Sequence, residues 1–458
     1  MPTLQTVVKF NRRPILISFF CIVFYYLFAY DLIRVDYLKL VLLYSALFLG
    51  FILLMRHKAL NFKFLVGVAI LFRFIFLLAI PNLSQDFYRF IWDGRMLLEG
   101  LNPYLYTPES FISSLEYPIY QAQELYDGMG KLNASHFTNY PPIKQLCFSI
   151  AALISGNSIL GSAIVFRLII IAADLGTLYF GKKLLDQLKL PTKSIFWYIL
   201  NPFVIIELTG NLHFEGVMVF FLIWSLYLLH TNRWQSAALL FACSISTKLI
   251  PLMFLPLFWQ WFIKNGSILK QGIGKLITFY TIVGVVILLM FLPFYDSEFI
   301  NNYSQTVALW FNNFEFNASI YYLARAIGYS ITGYNEIAII GKVLPVIVIF
   351  YILYLTFKKH QNSERLLPSL MLLTISVYLF FSTTVHPWYI ITPLALSIFT
   401  KYKFPLVWSY VIILSYLSYI AINVMDKSEN LWIIGLEYSI VFAVFIWEVV
   451  LKKSLSRQ

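Results

Sequence analysis

The densest chemistry in the chain lies between Ser84 and Tyr104, SQDFYRFIWDGRMLLEGLNPY, where carboxylates, guanidinium groups and aromatic rings interrupt a run of apolar segments. Asp86 is the candidate catalytic carboxylate. An ionised side chain at a membrane edge is costly and marks a functional site by default, and a carboxylate there can take the proton of an attacking hydroxyl. The competing reading is a helix N-cap or an ion pair with Arg89, and position alone leaves the two even. Arg89, Asp93 and Arg95 follow on the same helical stretch, which can lie in the membrane interface with its arginines near headgroups; Asp93 and Arg95 read as a local structural pair. Lys248 breaks an apolar run ahead of Pro251. It is either a snorkelling side chain or a fixed cation suited to a phosphate leaving group. His213 and Glu215 sit in the turn ELTGNLHFE, and His386 precedes Pro387, Trp388 and Tyr389. Both histidines could be hydrogen-bonded packing residues; the aromatic run after His386 favours a shaped site there. Arg73, Arg167 and Asp174 fall inside apolar segments, where buried ion pairing is the expected role.

The elements that must position these groups are membrane helices. Of 458 residues, 60% are hydrophobic and 12% charged, and the mean hydropathy is +0.75. Soluble domains carry about 25% charged residues, so this is a polytopic membrane protein, read as one membrane domain over residues 1–458. The net charge of +12 does not indicate a nucleic-acid partner, because Lys and Arg collect in short runs between apolar segments, as cytoplasmic loops do. Cys21, Cys147 and Cys243 have neither metal-ligand nor paired spacing and read as free packing residues. The basic N-terminus followed by about 20 apolar residues, with no small-residue cleavage site, reads as a retained first helix.

Apolar segments fall near 14–33, 37–55, 64–81, 160–181, 195–209, 214–230, either side of Lys248, and 275–293; five more follow at 337–357, 367–383, 388–400, 405–423 and 431–450. The stretch 139–154 is short for a crossing and is read as re-entrant or interfacial. Placing Lys9, Arg12 and Arg13 inside also places Arg56, His57, Lys58 and Lys63 inside, and makes 84–140 a first outer loop. Alternation then puts Lys264, Lys270, Lys275, Lys358, Lys359, Arg365, Lys401, Lys403, Lys452, Lys453 and Arg457 inside, with 295–335 a second outer loop and both termini cytoplasmic. Asp86, Tyr140, His213, Glu215, Lys248, His386 and Trp388 consequently share the outer face.

These motifs resemble the GT-C superfamily of glycosyltransferases that use lipid-phosphate sugars. The chain is similar in particular to the catalytic subunit of GPI mannosyltransferase I and to related bacterial polyprenol-phosphate-mannose-dependent enzymes. Asp86 matches the second Asp of that family's Asp-x-Asp-Tyr element. Arg95, Gly100 and Asn102-Pro103-Tyr104 follow at the family's spacing, and Tyr140-Pro141-Pro142, Asn201-Pro202, Gly210-Asn211 with Glu215, and Lys248-Leu249-Ile250-Pro251 continue the match in order. The resemblance covers roughly residues 64–260, with His386-Pro387-Trp388-Tyr389 fitting a weaker later element.

It implies an all-α bundle of about 12–14 spans with interfacial helices in the first outer loop. It also implies inverting transfer of a hexose, mannose above others, from a polyprenyl-phosphate donor to a glycan, lipid or protein hydroxyl on the non-cytoplasmic face. In that scheme Asp86 is the base, Arg89, Lys248 and His386 attend the phosphate, and His213, Glu215, Tyr140 and Trp388 contact substrate. A bacterial inner membrane is favoured over the endoplasmic reticulum. The family's first Asp is Ser84 here, so no metal ligands are assigned, and a divalent metal at this loop is an open question. The alternatives are a transporter or flippase of lipid-linked sugars, which would tend to show charges near the midplane of two related halves, and an O-acyltransferase, for which His386 lacks a supporting constellation.

Overall fold

The computed structural model describes residues 4–57, 60–263, 269–312, 314–360, 365–417 and 429–452. Lys58, Lys264, Lys453 and Arg457, and the end of the expected 405–423 segment, lie outside the described residues. The chain starts with α1 (Leu4–Tyr30), α2 (Tyr37–Arg56) and α3 (Phe62–Ile75). The stretch expected to form the first outer loop is itself helical, with α4 (Asp86–Leu98), α5 (Pro108–Ser113) and α6 (Ala122–Ala134), and leads into α7 (Pro142–Ser155) and α8 (Ile159–Gln187). Short polar side chains start several of these helices by accepting an otherwise orphaned N–H. Asn61 takes that of Phe64 at 2.7 Å, Thr107 that of Ser110 at 3.1 Å, and Ser158 that of Gly161 at 2.9 Å. Among the described residues there is no strand, only one isolated bridge between Phe316 and Thr384.

The all-α polytopic bundle is the architecture observed. By length and composition, six described helices can cross a bilayer: Arg12–Tyr30, Tyr37–Arg56, Ile159–Gln187, Lys270–Phe294, Ile337–Phe357 and Leu431–Leu451. The pair Pro202–Gly210 and Glu215–His230, bent by 117°, would make a seventh. Other expected segments form shorter pieces, such as Leu366–Phe381 and Phe404–Leu417. α7 has 14 residues, about 21 Å at 1.5 Å per residue against a hydrocarbon core of about 30 Å. Several of these shorter elements open with a proline in their first turn, Pro142, Pro202, Pro387 and Pro405 among them, where a missing N–H costs nothing.

Residues 84–140 differ from the interfacial reading. α4 packs against α6 and α7, and Arg89 and Arg95 are buried rather than turned to headgroups. Arg89 pairs with Asp93 one turn on, at 2.8 Å. Arg95 does not pair with Asp93; it donates to the Tyr120 carbonyl at 2.6 Å and to Gln121. α4 and α7 approach closely at Gly94, where a Cβ would run into the carbonyl of Phe148. Phe90 of α4 stacks on Phe148 of α7 at 4.7 Å, and Phe166 of α8 and Phe214 close the cluster edge-on.

Two buried arginines tie α3, α8 and the bent pair together. Arg73 Nε is 2.7 Å from Asp174 Oδ2, both side chains being almost fully enclosed, and Arg73 Nη1 also donates to the carbonyls of Ala69 and Ile199. Arg167 has no carboxylate partner among the described residues. It donates instead to the carbonyls of Leu77, Ala79 and Thr209, each at 2.8 Å, and to that of Gly210 at 3.4 Å. Those carbonyls belong to chain that has left regular helix, where unpaired backbone at membrane depth would be costly. Removing one member of a buried ion pair leaves an uncompensated charge. Arg73→Met is therefore expected to destabilise the fold by about 3–5 kcal/mol, and Arg73→Met with Asp174→Leu to recover part of that loss; heating detergent-solubilised protein before size exclusion reads both.

Candidate active site

A cavity of about 330 Å³ opens where the motifs expected on the outer face meet. Asp86, Tyr140, His213, Glu215, Lys248, His386 and Trp388 all line it, so seven of the eight residues singled out from the sequence converge on one space. Each is placed by the end of an element. Asp86 is the first residue of α4, Tyr140 precedes the Pro141-Pro142 start of α7, and Lys248 follows the helix Trp234–Thr247. His213 and Glu215 sit at the bend between Gly210 and the helix Glu215–His230, where Leu212 holds φ +63°. A left-handed conformation at a non-glycine residue is uncommon, and here the surrounding packing enforces it. His386 and Trp388 occupy the turn after Leu366–Phe381.

Arg89 is the exception. Its guanidinium is occupied by Asp93 and by the carbonyls of Asn133 and His136, each at 2.9 Å, so it anchors α4 to the end of α6 and does not reach the cavity. Glu207, which shares that turn with His213 and Glu215, does not line the cavity; one carboxylate oxygen accepts from the Tyr416 hydroxyl at 2.7 Å and the other lies 3.6 Å from His213 Nε2.

The cavity's carboxylates are Asp86 and Glu215, and its ammonium groups are Lys144 and Lys248. Neither competing role for Asp86 is realised. The hydroxyl of Ser84, not the Asp86 carboxylate, caps the turn by accepting the Asp86 N–H at 3.3 Å, and Arg89 is committed to Asp93. The Asp86 side chain has no hydrogen-bond or ion-pair partner among the described residues. Burial in the cavity wall raises its carboxyl to about 6, against the opposing pull of Lys144 and Lys248. Such a group is ionised at neutral pH yet basic enough to take a proton.

Glu215 is bound by the Lys248 ammonium, which also lies 4.1 Å from the centre of the Tyr389 ring. Lys144 was missed in the sequence. It is 4% exposed, and its ammonium lies 4.8 Å from the Tyr140 ring centre and 5.9 Å from that of Phe90. A signal for it did exist: a lysine in the first turn of an apolar helix opposes the helix dipole. Tyr378, another wall residue, sits mid-run in an apolar segment and gave none. Trp388 is sandwiched between two imidazoles, with His213 at 3.8 Å and His386 at 4.6 Å between ring centres. Its indole forms one aromatic wall, opposite in character to the lysine and carboxylate groups.

A second, more apolar cavity of about 570 Å³ lies across the first turn of α7, lined by Leu97, Leu101, Ile143, Leu146, Met290 and Phe294 among others. Pro141 and Lys144 face the charged cavity while Pro142 and Ile143 face the apolar one.

Fold and site together define a multi-pass helical membrane protein with a charged, aromatic-walled cavity at the ends of its helices. Residues 32–264 match the family described as alpha-(1->6)-mannopyranosyltransferase, N-terminal domain, and the chain belongs to that family. It is also similar to alpha-(1->6)-mannopyranosyltransferase A of Mycobacterium tuberculosis, 25% identical over 187 residues, which cover 40% of this chain and 34% of the relative. The chain thus matches about a third of that relative's length. The matched region contains Asp86, Tyr140, Lys144, His213, Glu215 and Lys248, whereas His386 and Trp388 lie beyond it.

The electrostatics of the cavity can be measured directly. The infrared carbonyl band that disappears in Asp86→Asn is expected to titrate with a midpoint near pH 6. Lys144→Met should move that midpoint upward, because the lost ammonium favoured the ionised form.

Proposed function

We propose that the protein is an integral-membrane glycosyltransferase that transfers mannose from a polyprenyl-phosphate donor to an acceptor hydroxyl on the non-cytoplasmic face of a bacterial inner membrane. The observation that carries this reading is the convergence, in one cavity, of an unpaired carboxylate, two ammonium groups and an aromatic wall. The printed name of the family and of the mycobacterial relative supports mannose as the sugar and the 6-hydroxyl of a mannoside as the acceptor.

The residues divide the work as the chemistry requires. Asp86 accepts the proton of the acceptor hydroxyl as that oxygen bonds to C1 of the sugar. The C1–O bond to phosphate breaks with its electron pair going to the phosphate oxygen, and the configuration at C1 inverts. Charge grows on the departing lipid phosphate, and a fixed cation aimed at it stabilises the transition state more than the ground state. Trp388, stacked with His213 and His386, forms an aromatic wall beside which the sugar is held. The neighbouring apolar cavity suits the first isoprene units of a lipid donor.

The test is transfer of labelled mannose from polyprenyl-phosphate-mannose to an alkyl α-mannoside in membranes holding the protein. Asp86→Asn is expected to reduce product by about 100- to 10,000-fold at unchanged protein level, the usual contribution of a general base. Near-normal product would remove Asp86 from that role. Wild-type transfer should fall as pH drops through about 6, because the carboxyl must be ionised to accept a proton. A pH-independent rate between 5 and 7 would contradict the assignment.

A further inference from the structure

The family's two-carboxylate arrangement at the first outer loop would suit a divalent cation, but the donor set present here does not. Ser84 holds the position of the first Asp, is 8% exposed, and spends its hydroxyl on the Asp86 N–H. Of the two carboxylates in the cavity, Glu215 is already engaged by the Lys248 ammonium. Among the described residues, no cluster of three or more His, Cys, Asp or Glu side chains is placed to hold a metal ion. Lys144 and Lys248 both line the cavity, so a divalent ion entering it would meet like charge from two ammonium groups.

Lys144 is the group left over. Its side chain is more than nine-tenths buried and lines the cavity at the first turn of a 14-residue helix. It makes no hydrogen bond or ion pair among the described residues; aromatic faces surround it instead. A buried ammonium without an anion is costly, and the positive end of the helix beside it adds to the demand for negative charge. Lys248 differs, since Glu215 already answers its charge. The position of Lys144 is informative too. It stands at the junction of the two cavities, next in the chain to Ile143, which lines the apolar one. A lipid-linked sugar phosphate seated with its chain in the apolar cavity and its sugar in the charged one would bring its phosphate to this junction.

We propose that Lys144 takes the place of a divalent cation: its ammonium binds the donor phosphate and stabilises the charge released onto it, so that transfer proceeds without metal. This rests on the transferase reading above. In the step itself the electron pair of the broken C1–O bond passes to the phosphate oxygen, the acceptor proton passes to Asp86, and Lys144 remains protonated throughout. Lys248 is then a positioning residue that holds Glu215 and the Tyr389 wall.

The experiment uses the purified full chain in lipid nanodiscs, polyprenyl-phosphate-mannose and an alkyl α-mannoside. Wild-type protein stripped with a chelator is expected to keep its rate to within about twofold, and Lys144→Met to lose about 100- to 1,000-fold in kcat/KM for the donor, with no rescue by Mn²⁺ or Mg²⁺. Lys144→Arg, which keeps the charge, should stay within about tenfold of wild type and covers the case in which the Met variant fails to fold. Loss of wild-type transfer on chelation with recovery on adding Mn²⁺ or Mg²⁺ would overturn the proposal, as would an unaffected Lys144→Met. Absence of product from wild type in both the chelated and the metal-supplemented reactions would defeat the transferase reading itself, and the lysine's role with it.

Discussion

Backbone that leaves helical geometry at membrane depth must find its hydrogen bonds inside the protein, and this chain leaves it at the bend between Gly210 and Glu215. Arg167 answers the constraint by reaching from α8 to the carbonyls of Thr209 and Gly210 on one side and of Leu77 and Ala79 on the other. With those groups satisfied the bend can stay open, and His213 and Glu215 can face a cavity instead of continuing a helix. Arg73 and Asp174 hold the same two helices a little further along. The cations that look most out of place in the apolar segments are thus the ones that make an irregular site possible.

The aromatic floor translates this scaffold into a site. Phe90, Phe148, Phe166 and Phe214 come from α4, α7, α8 and the bend, and their mutual packing fixes these elements against one another. Asp86 and Lys144 stand at the starts of α4 and α7, helices whose close crossing depends on Gly94. A base and a cation that act on one substrate must be held to within a fraction of an ångström. Placing both on the first turns of tightly packed helices meets that demand better than loops would.

Two imidazoles about Trp388 and one carboxylate on Lys248 leave the cavity asymmetric in its commitments. Glu215 and Lys248 answer one another, whereas Asp86 and Lys144 have no such partner among the described residues. Those two are left without a neutralising contact, and their opposite charges suit the roles proposed for them, proton acceptor and phosphate ligand.

Much of this was legible in the residues alone. Composition required a polytopic membrane protein, because no aqueous surface can be made from 12% charged residues. The order of polar motifs identified seven residues that share the cavity, since ionisable groups survive at a membrane edge only for a reason. Pairing was a different matter. Arg89 and Lys248 are both cations that the sequence assigns to the donor phosphate, yet the carbonyls of Asn133 and His136 and the Asp93 carboxylate hold the first and leave it outside the cavity. Lys144 read as part of a short apolar run. Its worth depends on α4 and α7 crossing at Gly94, which sets it beside Asp86. Sequence determined which groups had to be kept from lipid; only the tertiary structure decided which were already neutralised by a neighbour and which were left for a ligand. The physical reason is that charge compensation depends on distances across the fold, between residues 33 positions apart in Glu215 and Lys248 and 101 in Arg73 and Asp174, which no local pattern encodes.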